Sequence, residues 1–190
     1  MWRRSLLCAA CLILTTTAAM AQPAAIQRGS VMISGSASIT RAGGDLYESD
    51  DGAYTTISVT PSVGFFTRDG TMVGGFLSYT RTSREDGASA YVLGLGPTAA
   101  FFMNTNSDVV PFVGGGAKIM TIGGSYGGSP DSETGYGFFV SGGVVFLVGS
   151  HLGITAETSY NYDRFSAEGS NAVVTGNIIG FAVGVAGFLN

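Results

Sequence analysis

Between positions 53 and 82 the chain reads AYTTISVTPSVGFFT, then RDG, then TMVGGFLSYTRT. In the first half, Ile57, Val59, Pro61, Val63 and Phe65 alternate with Thr56, Ser58, Thr60, Ser62 and Gly64. A period of two with one wholly apolar face is the pattern of a strand between two different environments. The second face carries only hydroxyls and glycine, where a face in bulk water would carry Lys, Glu or Arg. That chemistry fits an apolar face turned to lipid and a small polar face turned to a narrow interior.

The same alternation recurs along the chain. Beside this hairpin it predicts strands at 30–40, 89–103, 109–122, 135–148, 152–163 and 173–189. Four connections read as long (42–52, 83–88, 123–134 and 164–171), and three as short, around 68–70, 104–108 and 149–151. Long and short connections alternate, as do the external loops and periplasmic turns of outer-membrane barrels. The expected fold is all-β, an eight-stranded antiparallel up-and-down transmembrane β-barrel. With the long loops outside, all eight tyrosines (47, 54, 79, 91, 126, 136, 160 and 162) fall in loops or outer strand halves. Phe65, Phe101 and Phe146 then fall at the periplasmic ends, facing out. Two aromatic belts result. Pro61 and Pro97 open similar hairpins, and each predicts a bulge, because proline removes a ladder hydrogen bond.

Composition narrows the alternatives. Hydrophobic residues are 45% and charged ones 12%, yet no uncharged run is long enough for a membrane helix. Glycine, at 30 of 190 residues, disfavours long helices and suits closely packed, curved strands.

The amino terminus has the form of an export signal. Arg3 and Arg4 precede a short apolar core at 6–14, and Ala19-Met20-Ala21 is an A-x-A cleavage site. The expected division is a cleaved leader, 1–21, and a barrel domain, 22–190. Cys8 and Cys11 leave with the leader, so the mature chain has no thiol or disulfide. Without Arg3 and Arg4, seven basic residues face 13 acidic ones, a charge near −6, which argues against nucleic acid as a partner.

The run PSVGFFTRDGTMVGGFLSY at 61–79, the later PFVGGGAK at 111–118 and the closing Gly187-Phe188-Leu189 resemble the small outer-membrane beta-barrel domain family. This "porin family" of small barrels is akin in architecture to the OmpX and OmpA barrels. The resemblance covers residues 28–190 and implies the fold and an outer-membrane location, with no specific activity. One departure is the end of the chain, where Asn190 stands in place of a terminal aromatic.

Candidate chemistry is sparse. His151 could serve as a base for a serine nucleophile in a lipid-modifying enzyme, but it falls in a short turn at the periplasmic rim. The sequence therefore reads as non-enzymatic, with no cofactor and no metal. Lys118 and Glu157 are the mid-strand charges on the inward parity, so the expected lumen cluster is Lys118 paired with Glu157, joined by Asn161. A selectivity role is the alternative. Phe66, Met72, Phe102, Phe112, Leu147 and Phe188 predict an apolar plug at the periplasmic side, below a small wet vestibule. Asp45, Glu48, Asp50 and Asp51 form a solvated acidic loop, or a divalent-cation site bridging lipopolysaccharide. Gly114-Gly115-Gly116-Ala117-Lys118 lacks the hydroxyl residue and the following helix of a phosphate loop. The expected role is structural or surface-interacting, through the external loops of a monomer. Its partners would be outer-membrane lipid and lipopolysaccharide, with the barrel-assembly machinery acting during insertion. A narrow small-solute channel is the alternative.

Overall fold

The computed structural model describes residues 24–42, 54–85, 87–103, 107–125, 133–166 and 173–190. The leader at 1–21, the acids Asp45, Glu48, Asp50 and Asp51, and Tyr47 and Tyr126 lie outside the described residues.

Eight strands form: β1 (Val31–Ala42), β2 (Tyr54–Arg68), β3 (Thr71–Arg84), β4 (Ser89–Phe102), β5 (Val109–Ser125), β6 (Glu133–Leu147), β7 (Leu152–Ser166) and β8 (Val173–Leu189). Each pairs antiparallel with its sequence neighbours, and β1 meets β8 to close an up-and-down barrel. The alternation is the physical cause. Val63, Leu95, Val140 and Val185 stay half exposed on the outer face, while Phe66, Val110 and Val145 on the opposite parity are buried. An apolar band of that extent is tolerated where hydrocarbon, not water, surrounds it.

The strands run further than the alternation predicts, and the connections shrink accordingly. The β3–β4 connection is 85–88, shorter than the 103–108 connection between β4 and β5, so long and short do not alternate strictly. One end of the barrel nevertheless collects the turns at 69–70, 103–108 and 148–151, together with both ends of the described chain. We call it the turn end and its opposite the loop end. Gly70 there has φ 71°, the left-handed conformation that a two-residue turn demands.

The prolines do not make bulges. Val59 pairs with Tyr79 and Ser62 with Phe76, so the register continues unbroken across Pro61. The same holds across Pro97, between Leu95–Ile119 and Thr98–Gly116. Each proline lacks its N–H on one side only, and the opposite partner, Gly35 or Gly75, still pairs. The bulge falls between Phe66 and Arg68, where the strand must tighten into its turn.

The closing seam is uneven. β1 pairs with β2 along its whole length, from Val31–Phe65 to Ala42–Tyr54. Against β8 it makes seven pairs, from Val31–Leu189 to Ala37–Val183. Above Ala37 the two strands pair only with their other neighbours.

Candidate functional site

The site is the barrel interior, built in three layers. The lowest consists of the last inward positions at the turn end. Phe66, Met72, Phe102, Val110, Phe112, Val145, Ala186 and Phe188 pack with Met32 into one buried cluster, and Leu147 leans against it half-buried. Phe66 and Phe102 lie 5.3 Å apart at 54°, and Phe102 and Phe112 5.4 Å apart at 30°. The structure thus brings together Phe66, Met72, Phe102, Phe112, Leu147 and Phe188.

It also adds a component that strand periodicity missed. Ala24–Ile26 forms a single 3-10 turn below the barrel, and Ala25 and Ile26 are buried in the same cluster. Backbone bonds tie this segment down: Gly70 N–H donates to Ile26 O at 3.0 Å, and Gly29 N–H to Phe66 O at 2.9 Å. Arg28 N–H donates to Asp69 Oδ1 at 2.8 Å, and Ser30 Oγ to Asn190 Oδ1 at 2.7 Å. Its one sequence signal is the apolar Ala24-Ala25-Ile26, set between the cleavage site and Gly29.

The middle layer holds the charges. Lys118 is not paired with Glu157. Its ammonium lies 2.9 Å from Asp163 Oδ1 and donates to Oδ2 at 3.2 Å, with both side chains largely buried. It also donates to Asn161 Oδ1 at 3.3 Å, and Asn161 Nδ2 donates to Ser159 Oγ at 3.2 Å. Register explains the correction. Lys118 stands opposite Gly137, which stands opposite Asp163, so lysine and acid share one row of the wall. Glu157 stands opposite Gly143, in the row of Phe112. That row is six residues lower on β5, about 20 Å along the strand. Asp163 escaped notice because the alternation ended β7 at that residue, while the strand continues to Ser166. Gly137 makes the pairing possible: a Cβ there would run into Asp163 Oδ1 and the Tyr162 carbonyl oxygen.

Glu157 sits just above the plug, and the Phe112 ring reaches over Gly143 toward it. Between these layers Phe76 and Phe139 make an edge-to-face pair at 5.2 Å.

The upper layer is hydroxyl. Ser58 Oγ and Thr80 Oγ1 lie 2.9 Å apart, and Thr56 Oγ1 and Thr82 Oγ1 3.0 Å apart. Ser34 and Ser62 repeat the motif lower down, at 2.6 Å. These bonds link β1 to β2 and β2 to β3 across the inner face.

His151 lies exposed in the 148–151 turn, its Nδ1 2.6 Å from Ser150 Oγ, while its carbonyl accepts from Phe188 N–H at 2.9 Å. That places it at the turn end, in a turn closed by Val148 N–H donating to Leu152 O at 2.8 Å.

On the outside, Tyr79 and Tyr91 stack at 6.4 Å, Phe138 and Tyr162 at 5.0 Å, and the Arg164 guanidinium lies 5.8 Å from the Tyr136 ring centroid. Phe65, Phe101 and Phe146 face outward near the turn end, about half exposed.

Several solved structures share this architecture. Neisserial surface protein A aligns with a TM-score of 0.55 at 20% identity, covering 84% of this chain and 96% of that one. Ail, the attachment invasion locus protein of Yersinia pestis, was crystallised with the heparin analogue sucrose octasulfate. It aligns with a TM-score of 0.53 at 17% identity, covering 86% of this chain and 100% of that one. OprG from Pseudomonas aeruginosa aligns with a TM-score of 0.52 at 14% identity, covering 86% and 97%. At such identities the likeness is one of fold. No curated protein matches the chain. The family described as outer membrane protein beta-barrel domain matches residues 9–186. With that match spanning nearly the whole barrel, the chain belongs to the outer membrane protein beta-barrel domain family.

Proposed function

We propose that this chain is a non-conducting, non-enzymatic barrel of a Gram-negative outer membrane that holds its external connections at the cell surface for interaction. The carrying observation is the plug. Phe66, Val110, Phe102 and Phe188 are 0 to 2% exposed, and Ile26 fills the mouth beneath them. An apolar constriction packed with stacked rings leaves no wetted path for a solute. The Lys118–Asp163 pair above it is largely buried and bonded to Asn161, as befits an element that stiffens the wall.

The loop end carries the surface role. Ail binds a polyanionic heparin analogue in its crystal. The first external connection of this chain instead carries Asp45, Glu48, Asp50 and Asp51. That composition favours cationic surfaces, or lipopolysaccharide bridged by divalent cations, over polyanions. In this reading the leader at 1–21 is removed on export, the assembly machinery inserts a monomer, and outer-membrane lipid surrounds it.

Planar-bilayer recording on refolded protein tests the proposal. The expected trace has no stable conductance steps. Reproducible steps that change with Lys118→Met or Glu157→Gln would replace this reading with a narrow small-solute channel.

A further inference from the structure

We infer that the gap between the upper parts of β1 and β8 is a lateral binding site for the acyl chain of an amphiphile from the outer leaflet. The seven-pair seam stops at Ala37–Val183. Continued in register, it would set Ser38 against Ala182 and Ile39 against Phe181, and neither pair forms. Exposure marks the same boundary. Ile178 is on the inward parity of β8, yet it is 60% exposed, and Ser38 on the inward parity of β1 is exposed too. Ile39, Ile179 and Phe181, at 73, 77 and 67%, are the most exposed large apolar residues on the outer face. Among the described residues, a Cβ on Gly176 would meet nothing within 4 Å.

The gap has the depth and chemistry of that occupant. The free stretch of β1, 38–42, covers about 12 Å of depth at the usual strand rise and tilt, close to one leaflet of a ~30 Å hydrocarbon core. Backbone groups left open at that depth need a polar partner, and the flanking isoleucines and phenylalanine need an apolar one. An amphiphile supplies both: its polar group bonds the open backbone and the inner-face hydroxyls such as Thr56, while its chain lies along Ile39, Ile178 and Phe181. The inference rests on the closed turn end only for its floor: a chain entering sideways stops at Phe66 and Phe112.

The test uses the absence of tryptophan and cysteine from residues 22–190. Ser58→Trp is placed in a Ser38→Cys/Ala182→Cys background and refolded into phosphatidylcholine vesicles, with or without bromine on the acyl chains. Val59→Trp, facing lipid, is the reference. With the thiols reduced, brominated lipid is expected to quench the tryptophan at 58 as well as the one at 59. Oxidation that staples the seam should abolish quenching at 58 and leave it at 59. Adding the single-chain amphiphile oleate to unbrominated vesicles, with bromine on the oleate, separates a free amphiphile from a bilayer lipid as the source. No quenching at 58 before oxidation overturns the inference, as does quenching that persists after stapling. Disulfide-linked dimers through position 38 would also overturn it, by assigning the gap to a second copy. If Ser58→Trp loses the gel shift of a folded barrel, Thr80→Trp reads the same space. None of these outcomes depends on whether the barrel conducts.

Discussion

At the turn end, Phe66 and Phe102 lie 5.3 Å apart and β1 is bonded to strands on both sides. At the loop end the same β1 is bonded on one side only, and the interior is edged by serine and threonine. Both halves share one set of strands and one outward face, so hydrophobic patterning alone does not separate them. The size of the inward residues does. Large rings at the last inward positions fill the lumen beside the β1–β8 seam, while the inward positions further up β1 and β2, Ser36, Ser38, Thr56, Ser58 and Thr60, are small. Burial of large apolar groups accordingly concentrates at one end.

Mutations should therefore weaken the two ends unequally. Phe66→Ala removes a fully buried ring from the plug and should lower the unfolding free energy by about 3–5 kcal/mol, read by urea denaturation in vesicles. A change below 1 kcal/mol would mean that the lower half is not the stability centre. Lys118→Met leaves Asp163 buried without its partner, and should lower it by about 3–4 kcal/mol in the same assay. Adding Asp163→Leu should recover most of the loss, because an apolar pair replaces an ionic one. No effect from Lys118→Met would mean that the pair is solvated rather than buried. Gly137→Ala pushes a methyl into the space held by Asp163 Oδ1 and should lower it by about 1–3 kcal/mol. Ile178→Ala, at the open seam, should change it by less than about 0.5 kcal/mol. A large loss there would indicate a sealed upper wall.

The sequence made the strands and the buried apolar cluster at the turn end legible because both follow directly from a period of two. Val63 and Phe65 announce an outer face, and Phe66 and Phe102 announce a lower interior one. Pairing within the lumen was less legible. Lys118 and Asp163 share a row only through the register of β5, β6 and β7, and parity by itself carries no register. The same limit explains the missed seam: nothing in the alternation of Ser38 and Ile39 distinguishes a strand paired on both sides from one paired on one. Ile26 was illegible for another reason, since a single 3-10 turn has no periodicity to read.

Residue-resolved amide hydrogen exchange in lipid nanodiscs tests the central claim, a barrel sealed below and parted above. Protection is expected at every bonded amide of β1 from Val31 to Ala37 and of β8 from Val183 to Leu189. Above them, the amides of 38–42 and 173–182 that face the gap should exchange, while those facing β2 and β7 stay protected. Equal protection along the full length of both strands would contradict the account.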